Sequence, residues 1–149
     1  MNTSASRHNM PRRLLTRANG LANVLQSRGD LLSLTGKQEE ALQAYDEAER
    51  LFKKEHDDLG LANVLLSRGD LLMENENIPG AKKCYEKALK LYKQEQVLEY
   101  VGYMLLVLIL CCSHLNDENG LETYKSELEQ ILPSLPEHAQ EKILMFFQE

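Results

Sequence analysis

The sequence contains no tryptophan, and only four prolines and eight glycines occur among its 149 residues. Long apolar runs are also missing: the most apolar stretch, residues 101–112, is about a dozen residues long. A helix that crosses a bilayer needs ~20 apolar residues, so no membrane segment is expected. No apolar run follows the basic residues near the amino terminus, which argues against a secretory signal. These absences predict a cytoplasmic protein.

Positive charge is scarce as well. With 17 basic and 23 acidic residues, the formal net charge of the chain is −6. A surface that binds nucleic acid or anionic lipid needs a basic patch. We therefore expect neither a nucleic acid nor a membrane as a partner.

The three cysteines, Cys84, Cys111 and Cys112, do not suggest a disulfide framework. Their number is odd, and adjacent cysteines rarely bridge each other because the geometry is strained. A reducing compartment is the simpler explanation. No second Cys/His pair lies at a zinc-site spacing, so we expect thiols of the core rather than metal ligands.

One segment of thirteen residues occurs twice. Residues 20–32 read GLANVLQSRGDLL and return forty residues later, at 60–72, with Leu66 in place of Gln26. A return at a fixed spacing of 20 to 50 residues is typical of stacked repeat arrays, in which neighbouring units bury each other's apolar faces. The sequence shows no phosphate loop, HExxH motif or nucleophile–base pattern. We therefore expect no enzyme, no catalytic residue, no cofactor and no metal site.

Apolar periodicity and helix-end signals predict seven helices and no strand. Their approximate bounds are 13–35, 37–55, 59–74, 78–94, 97–115, 120–132 and 136–148. Residues 1–12 show no periodicity and are predicted to be a flexible lead-in. Residues 13–149 are predicted to form one domain, with repeats at about 20–59 and 60–99, a degenerate repeat at 100–132 and a capping helix at 136–148.

A helical wheel of the first helix separates packing residues from polar ones. Asn23, Ser27 and Asp30 lie opposite a broad apolar face that we expect to be buried, made of Leu21, Val24, Leu25, Leu31 and Leu32. Arg28 and Arg68 fall in the apolar sector of their helices. Each arginine either pairs with a carboxylate on a neighbouring helix or points into a groove to hold an acidic ligand, and the wheel favours the first.

The two repeats share a further pattern of small and aromatic residues: Gly29, Ala41, Tyr45 and Ala48 in one, and Gly69, Ala81, Tyr85 and Ala88 in the other. This pattern resembles the tetratricopeptide repeat (TPR) family. The unit of forty residues exceeds the commoner 34 and is similar to the extended repeats of Pins-type adaptors and kinesin light chains. The resemblance implies an all-α, right-handed superhelix of antiparallel helix pairs, a TPR-like α-solenoid, that acts as a non-catalytic interaction module.

In the TPR family, first helices line a concave face on which a peptide or helix of a partner protein lies. The resemblance therefore assigns a binding role to one row of residues, called the binding row below: Asn23, Gln26, Ser27, Asp30, Asn63, Leu66, Ser67, Asp70 and Tyr103. Asparagine suits this role because its amide both donates and accepts hydrogen bonds. The aspartates make the face partly acidic and favour a basic or mixed peptide, whereas the alternative is a merely solvated polar face.

Other functions are open at the level of sequence. The chain could be a ligand-sensing arm or fragment of a larger signalling protein, or a self-associating scaffold such as a homodimer. The helix at 97–115 is apolar nearly all round, which implies burial on more than one side. This helix could form an apolar end of the binding groove that receives a hydrophobic residue of a partner, or it could mediate self-association. Alternatively, the last helix could fold back and cover it with Phe146 and Phe147. We favour the last explanation.

Overall fold

The computed structural model describes residues 12–148, with side chains from residue 20 onward. Among these residues it contains seven α-helices, one 3₁₀ turn and no strand, which confirms the all-α fold class. The helices are α1 (Arg12–Leu34), α2 (Gln38–Lys54), α3 (Asp58–Glu74), α4 (Ile78–Gln94), α5 (Leu98–His114), α6 (Glu118–Ile131) and α7 (Glu137–Gln148), with the 3₁₀ turn at Leu132–Ser134. The predicted lead-in at 1–12 lies almost wholly outside the described residues.

The first six helices are separated by turns that recur every twenty residues. Each turn has one residue with a left-handed backbone, at positions 36, 56, 76, 96 and 116. At the end of α2, the amide of Asp57 donates to the carbonyl of Phe52 at 2.9 Å and that of His56 to Lys53 at 3.1 Å. These two bonds satisfy carbonyls that the helix end leaves unpaired. The forty-residue unit is thus two similar helix–turn modules.

Side chains fix the starts of three helices. Asp57, Asn77 and Asp117 each accept a hydrogen bond from the backbone amide of the glycine three residues later, at 2.9, 3.1 and 3.0 Å. This is N-capping, which satisfies an amide that has no partner within the helix. A Cβ at Gly80 would lie 2.7 Å from Nδ2 of Asn77, so a larger residue there would force the capping side chain to shift.

Each repeat closes on itself through a tyrosine that packs on a glycine. A Cβ built on Gly29 would lie 2.5 Å from the ring of Tyr45, and one on Gly69 would lie 2.6 Å from the ring of Tyr85. The alanines that flank these tyrosines in the sequence pattern are fully buried. The small–aromatic–small packing predicted from the sequence is therefore confirmed.

The predicted burial of the first copy's apolar face is wrong for part of that face. We call Gly20, Leu21, Val24, Arg28 and Leu31 the outer face of α1; Leu21 is 53% exposed, and Val24 and Leu31 are each 62% exposed. The physical reason is position in the array. No helix stands before α1 in the part of the chain that the structure describes, so nothing there covers these side chains.

The matching outer face of α3 consists of Gly60, Leu61, Val64, Arg68 and Leu71, and it packs against α2. Arg68 forms ion pairs with two carboxylates of α2, those of Asp46 and Glu49. The structural interpretation of Arg68 is therefore confirmed. Arg28 occupies the same place in α1 and is exposed, and no helix of the described part of the chain lies in front of it.

The last helix folds back on the third repeat, but with other residues than we predicted. Leu135, Ala139 and Ile143 join the buried cluster that contains the α5 core, whereas Phe147 is 49% exposed. A cleft of about 330 Å³ lies between α6 and α7, and both Leu128 and Phe147 line it. The prediction that Phe146 and Phe147 would cover α5 is therefore wrong.

The cysteines are free thiols of the core, as the sequence suggested: Cys111 and Cys112 are buried and Cys84 is half-buried. Burial raises the pKa of the Cys111 thiol to about 11, which makes it a poor nucleophile. Over residues 12–148, none of the helices is both long enough and apolar enough to cross a membrane.

Candidate functional site

Two carboxylates of the binding row are held in the same way in the two repeats. The hydroxyl of Tyr45 donates to Oδ1 of Asp30 at 2.6 Å, and the hydroxyl of Tyr85 donates to Oδ1 of Asp70 at 2.6 Å. Both tyrosines are buried, whereas both aspartates are exposed. One oxygen of each carboxylate is thus held by a hydrogen bond from a buried tyrosine, while the aspartate remains accessible to a ligand.

Hydrogen bonds also organise the amides of the row. Nε2 of Gln26 donates to Oγ of Ser67 at 3.3 Å, which ties α1 to α3 across the repeat boundary. The hydroxyl of Tyr92 donates to Oδ1 of Asn63 at 2.5 Å. In the first repeat Phe52 occupies the position of Tyr92 and has no hydroxyl, so no described tyrosine donates to Asn23 in this way. Asn23 is exposed. Asn23 and Asn63 are therefore not equivalent, although their sequence contexts are nearly identical.

Negative charge accumulates around Asp70. Although Asp70 is exposed as a residue, the protein around its carboxyl group keeps part of the solvent away, which raises the pKa of that carboxyl. The nearby charges of Glu74 and Asp30 raise this pKa further, and the hydrogen bond from Tyr85 lowers it. Burial, the bond to Asp30 and the charges of Asp70 and Glu74 all raise the pKa of Tyr45. The carboxylates of α1 and α3 therefore form one acidic field, which attracts cations.

The third repeat continues the row with aromatic rings. Tyr103 is 45% exposed, and its pKa is raised chiefly by burial and further by the charge of Asp70. The rings of Tyr92 and Tyr100 stack with centroids 5.0 Å apart and planes 20° apart. Beside them lies a cleft of about 310 Å³, lined by Glu99, Tyr100, Tyr103, Leu106, Ala139, Lys142 and Ile143.

The residues of the binding row differ in how accessible they are to a ligand. Asn23, Ser27, Asp30, Asp70 and Tyr103 are exposed, and each could touch a ligand directly. Gln26, Asn63, Leu66 and Ser67 are half-buried, and three of these four are occupied by the hydrogen bonds above. The surface offers fixed carboxylates, exposed polar groups and aromatic rings. In the described part of the chain, no three His, Cys, Asp or Glu side chains meet in a way that could hold a metal ion.

Comparison with known proteins places the chain among helical adaptors. The family model described as soluble NSF attachment protein, SNAP, matches residues 5–147. The chain belongs to the SNAP family. No significant match to a curated protein or to a solved structure was found.

SNAP-family proteins are arrays of helical hairpins that act as non-catalytic protein-interaction adaptors. This agrees with the fold of the present chain and supports its resemblance to TPR proteins at the level of a helical-hairpin array. The match does not extend to the TPR family itself or to the Pins-type and kinesin light chain repeats.

Several residues that contribute to this surface were not predicted from the sequence. Tyr45 and Tyr85 were predicted only as part of the small–aromatic–small pattern, yet their hydroxyls, and that of Tyr92, donate hydrogen bonds to the binding row. A signal was present, because a buried tyrosine hydroxyl needs a hydrogen-bond partner. Glu74 was also missed, although it lies one helical turn after Asp70 and therefore on the same face.

Proposed function

We propose that this chain is a non-catalytic interaction module that binds a peptide or helix of a partner protein along the binding row of α1, α3 and α5. One observation carries the proposal. The pairs Tyr45–Asp30 and Tyr85–Asp70 present an exposed carboxylate with the same 2.6 Å hydrogen bond in two successive repeats. A surface that is organised before binding loses little entropy when a ligand arrives.

Repetition also suits an extended ligand. Two equivalent carboxylates in adjacent repeats provide two contact points along the ligand, and the aromatic cleft at Tyr103 adds a third contact point in the third repeat. The likeness to TPR proteins supports a concave binding face of this kind. The family's name records attachment to NSF; for this chain we propose only a protein partner.

The partner segment is basic or mixed in charge, because Asp30, Asp70 and Glu74 form an acidic field and the chain has a net charge of −6. Like charges placed opposite each other weaken an interface and opposite charges strengthen it. We also propose that the chain works in the cytoplasm, which the three free thiols support because disulfides are rare there.

A peptide selection tests this proposal. Displayed random peptides are selected on the full chain, and the affinity of the enriched peptides is then measured by fluorescence anisotropy. We expect lysine- and arginine-containing peptides, whose affinity falls ~tenfold in the double variant Asp30→Asn and Asp70→Asn. Asparagine keeps an oxygen that accepts the tyrosine hydrogen bond, so the core stays satisfied.

The matched control is the double variant Glu40→Gln and Glu122→Gln. It removes the same charge from two exposed positions on second helices, away from the binding row. Equal loss of affinity in both double variants would mean that net charge attracts the peptides rather than this face. Enrichment of acidic peptides would also refute the proposal.

A further inference from the structure

The outer face of α1 forms a continuous stripe that has no partner among the described residues. Gly20, Leu21, Val24, Arg28 and Leu31 follow one another at helical spacing, and all five are exposed. They occupy a different sector of α1 from Asn23, Ser27 and Asp30. The stripe is therefore separate from the binding row proposed above, and the two surfaces can be tested independently.

The chain itself shows what covers such a stripe. Forty residues later the same five residue types recur, and there each one has a complement on α2. The ring of Phe52 lies against Gly60, so that a Cβ at Gly60 would clash with it. Val64 and Leu71 are each 1% exposed, in one cluster with Tyr45, Ala48 and Phe52.

The surface of α2 that covers the outer face of α3 also carries negative charge. Nη1 of Arg68 lies 2.9 Å from Oε2 of Glu49, and its Nη2 pairs with Asp46. The two carboxylates stand three residues apart on α2, and Phe52 follows three residues later, so all three lie on one side of the helix. The complement of the outer face is therefore an acidic residue, a second acidic residue three positions on, and an aromatic residue three positions after that.

We propose that the outer face of α1 docks an amphipathic helix of another protein that carries this acidic–acidic–aromatic pattern. Arg28 pairs with the two carboxylates, Val24 and Leu31 pack on the apolar stripe, and the open space over Gly20 receives the aromatic ring. A Cβ at Gly20 would meet no atom within 4 Å, so that space is unfilled by any described residue.

Residues 1–149 contain no second segment with this pattern that is free to dock there. Residues 1–19 contain no Asp or Glu, so they offer no partner for Arg28. The pattern of two acidic residues and an aromatic residue at spacings of three occurs once in the chain, at Asp46, Glu49 and Phe52. That copy is already packed against α3, so a second molecule cannot present it without unfolding.

The probe for the test is a peptide of residues 38–54, the sequence of α2. Isolated helices of this length are marginal, so the peptide is stapled by a lactam between Lys introduced at position 43 and Glu47, two positions that face solvent in the folded chain. Calorimetric titration into the full chain is expected to show saturable binding. Arg28→Glu and Val24→Glu should each lower the affinity ~tenfold or more.

Controls separate this surface from the rest of the chain. Arg50→Glu, an equal charge change at an exposed position on α2, should leave the affinity unchanged, and so should the double variant Glu40→Gln and Glu122→Gln. A peptide with Asp46→Lys and Glu49→Lys should bind weakly to the natural chain and regain affinity for the Arg28→Glu chain. Circular dichroism melts check that each variant is folded.

Three outcomes would overturn the proposal. The first is no saturable binding by a peptide that circular dichroism shows to be helical. The second is an equal loss of affinity in Arg28→Glu and Arg50→Glu. The third is a mass near twice 17.0 kDa for the chain alone in light scattering, restored to 17.0 kDa by Val24→Glu, which would make a second copy the occupant.

Discussion

Residues 20–32 and 60–72 differ at one position in thirteen, yet their outer faces stand in opposite environments. Val24 is 62% exposed and Val64 is 1% exposed; Leu31 is 62% exposed and Leu71 is 1% exposed. The residues and their helical setting are the same, so the difference comes from the neighbour alone. In a repeat array, burial on this face belongs to the interface with the preceding unit.

The face of each first helix that packs against the second helix of its own repeat makes the same contacts in both copies. Gly29 lies under Tyr45 as Gly69 lies under Tyr85, and each tyrosine donates to its aspartate at 2.6 Å. The duplication therefore separates two kinds of stabilisation that are usually mixed. Among the described residues, contacts within a repeat occur in both copies, whereas contacts with a preceding repeat occur only in the second copy.

The largest difference between the copies is expected for leucine truncation. Leu71→Ala removes a buried side chain and should lower the free energy of unfolding by about 2–5 kcal/mol, through lost transfer energy and a cavity. Leu31→Ala truncates a side chain that is 62% exposed and should change the free energy of unfolding by less than ~0.5 kcal/mol. Urea denaturation of both variants measures this. Equal losses would show that something covers α1 in solution.

A glycine pair should give effects of opposite sign. Gly60→Ala places a methyl group against the Phe52 ring, which overpacks the interface and should cost about 1–3 kcal/mol. Gly20→Ala meets open space in a helix and should stabilise the chain by about 0.5–1 kcal/mol, because alanine favours the helix. Thermal melts of the two variants test this, with Gly29→Ala and Gly69→Ala as a pair that should destabilise equally. A loss of stability in Gly20→Ala would contradict the open geometry.

Most of the fold could be predicted from sequence because its determinants are local. Helix bounds follow from periodicity and from caps such as Asp57, and the predicted bounds agree with the observed ones within about two residues. Packing within a repeat follows from the glycine–tyrosine pattern. Burial of Val24 and Leu31 could not be predicted, since it depends on what precedes α1. Ile143, rather than Phe147, packs against α5 near Gly102, a contact between distant parts of the chain that no local pattern encodes.

The candidate site was predictable in part for the same reason. Periodicity puts Asn23, Ser27 and Asp30 on one side of α1. It does not show that Asp30 is hydrogen-bonded to a tyrosine fifteen residues later, or that Asn63 is bonded to Tyr92 and Asn23 is not. Those differences come from contacts between helices, and they separate two residues that the wheel treats as equivalent.

The arginine pair should show a smaller contrast. Arg68→Gln breaks the ion pairs with Asp46 and Glu49 and should cost about 1 kcal/mol at low salt. Arg28→Gln has no such pair to break on α2 and should have almost no effect. Urea denaturation at low and high salt measures both, and the cost of Arg68→Gln should shrink at ~1 M salt, where screening is strong. A cost that does not depend on salt would show that Arg68 acts by packing its aliphatic stem.

The smallest expected effect concerns Asp70, which has an acidic neighbour that Asp30 lacks. Glu74 lies one turn after Asp70, whereas Leu34 occupies the matching place after Asp30. Burial and the Glu74 charge raise the folded-state pKa of Asp70 above its ordinary value of 3.8, so the folded chain binds this proton more tightly than the unfolded chain does. The contribution of Asp70 to stability therefore falls as pH rises through that pKa.

Glu74→Leu makes the second copy match the first at this position. We expect the Asp70 pKa, followed through its side-chain carboxyl carbon by NMR, to fall in the variant while staying above 3.8, because burial remains. The loss of stability as pH rises through the Asp70 pKa should become smaller, because the difference between the folded-state pKa and its ordinary value is smaller in the variant. Glu118→Leu, at an exposed position on α6, removes the same charge and should leave the Asp70 pKa unchanged. An equal shift in both variants would mean that Asp70 responds to net charge rather than to the residue one turn away.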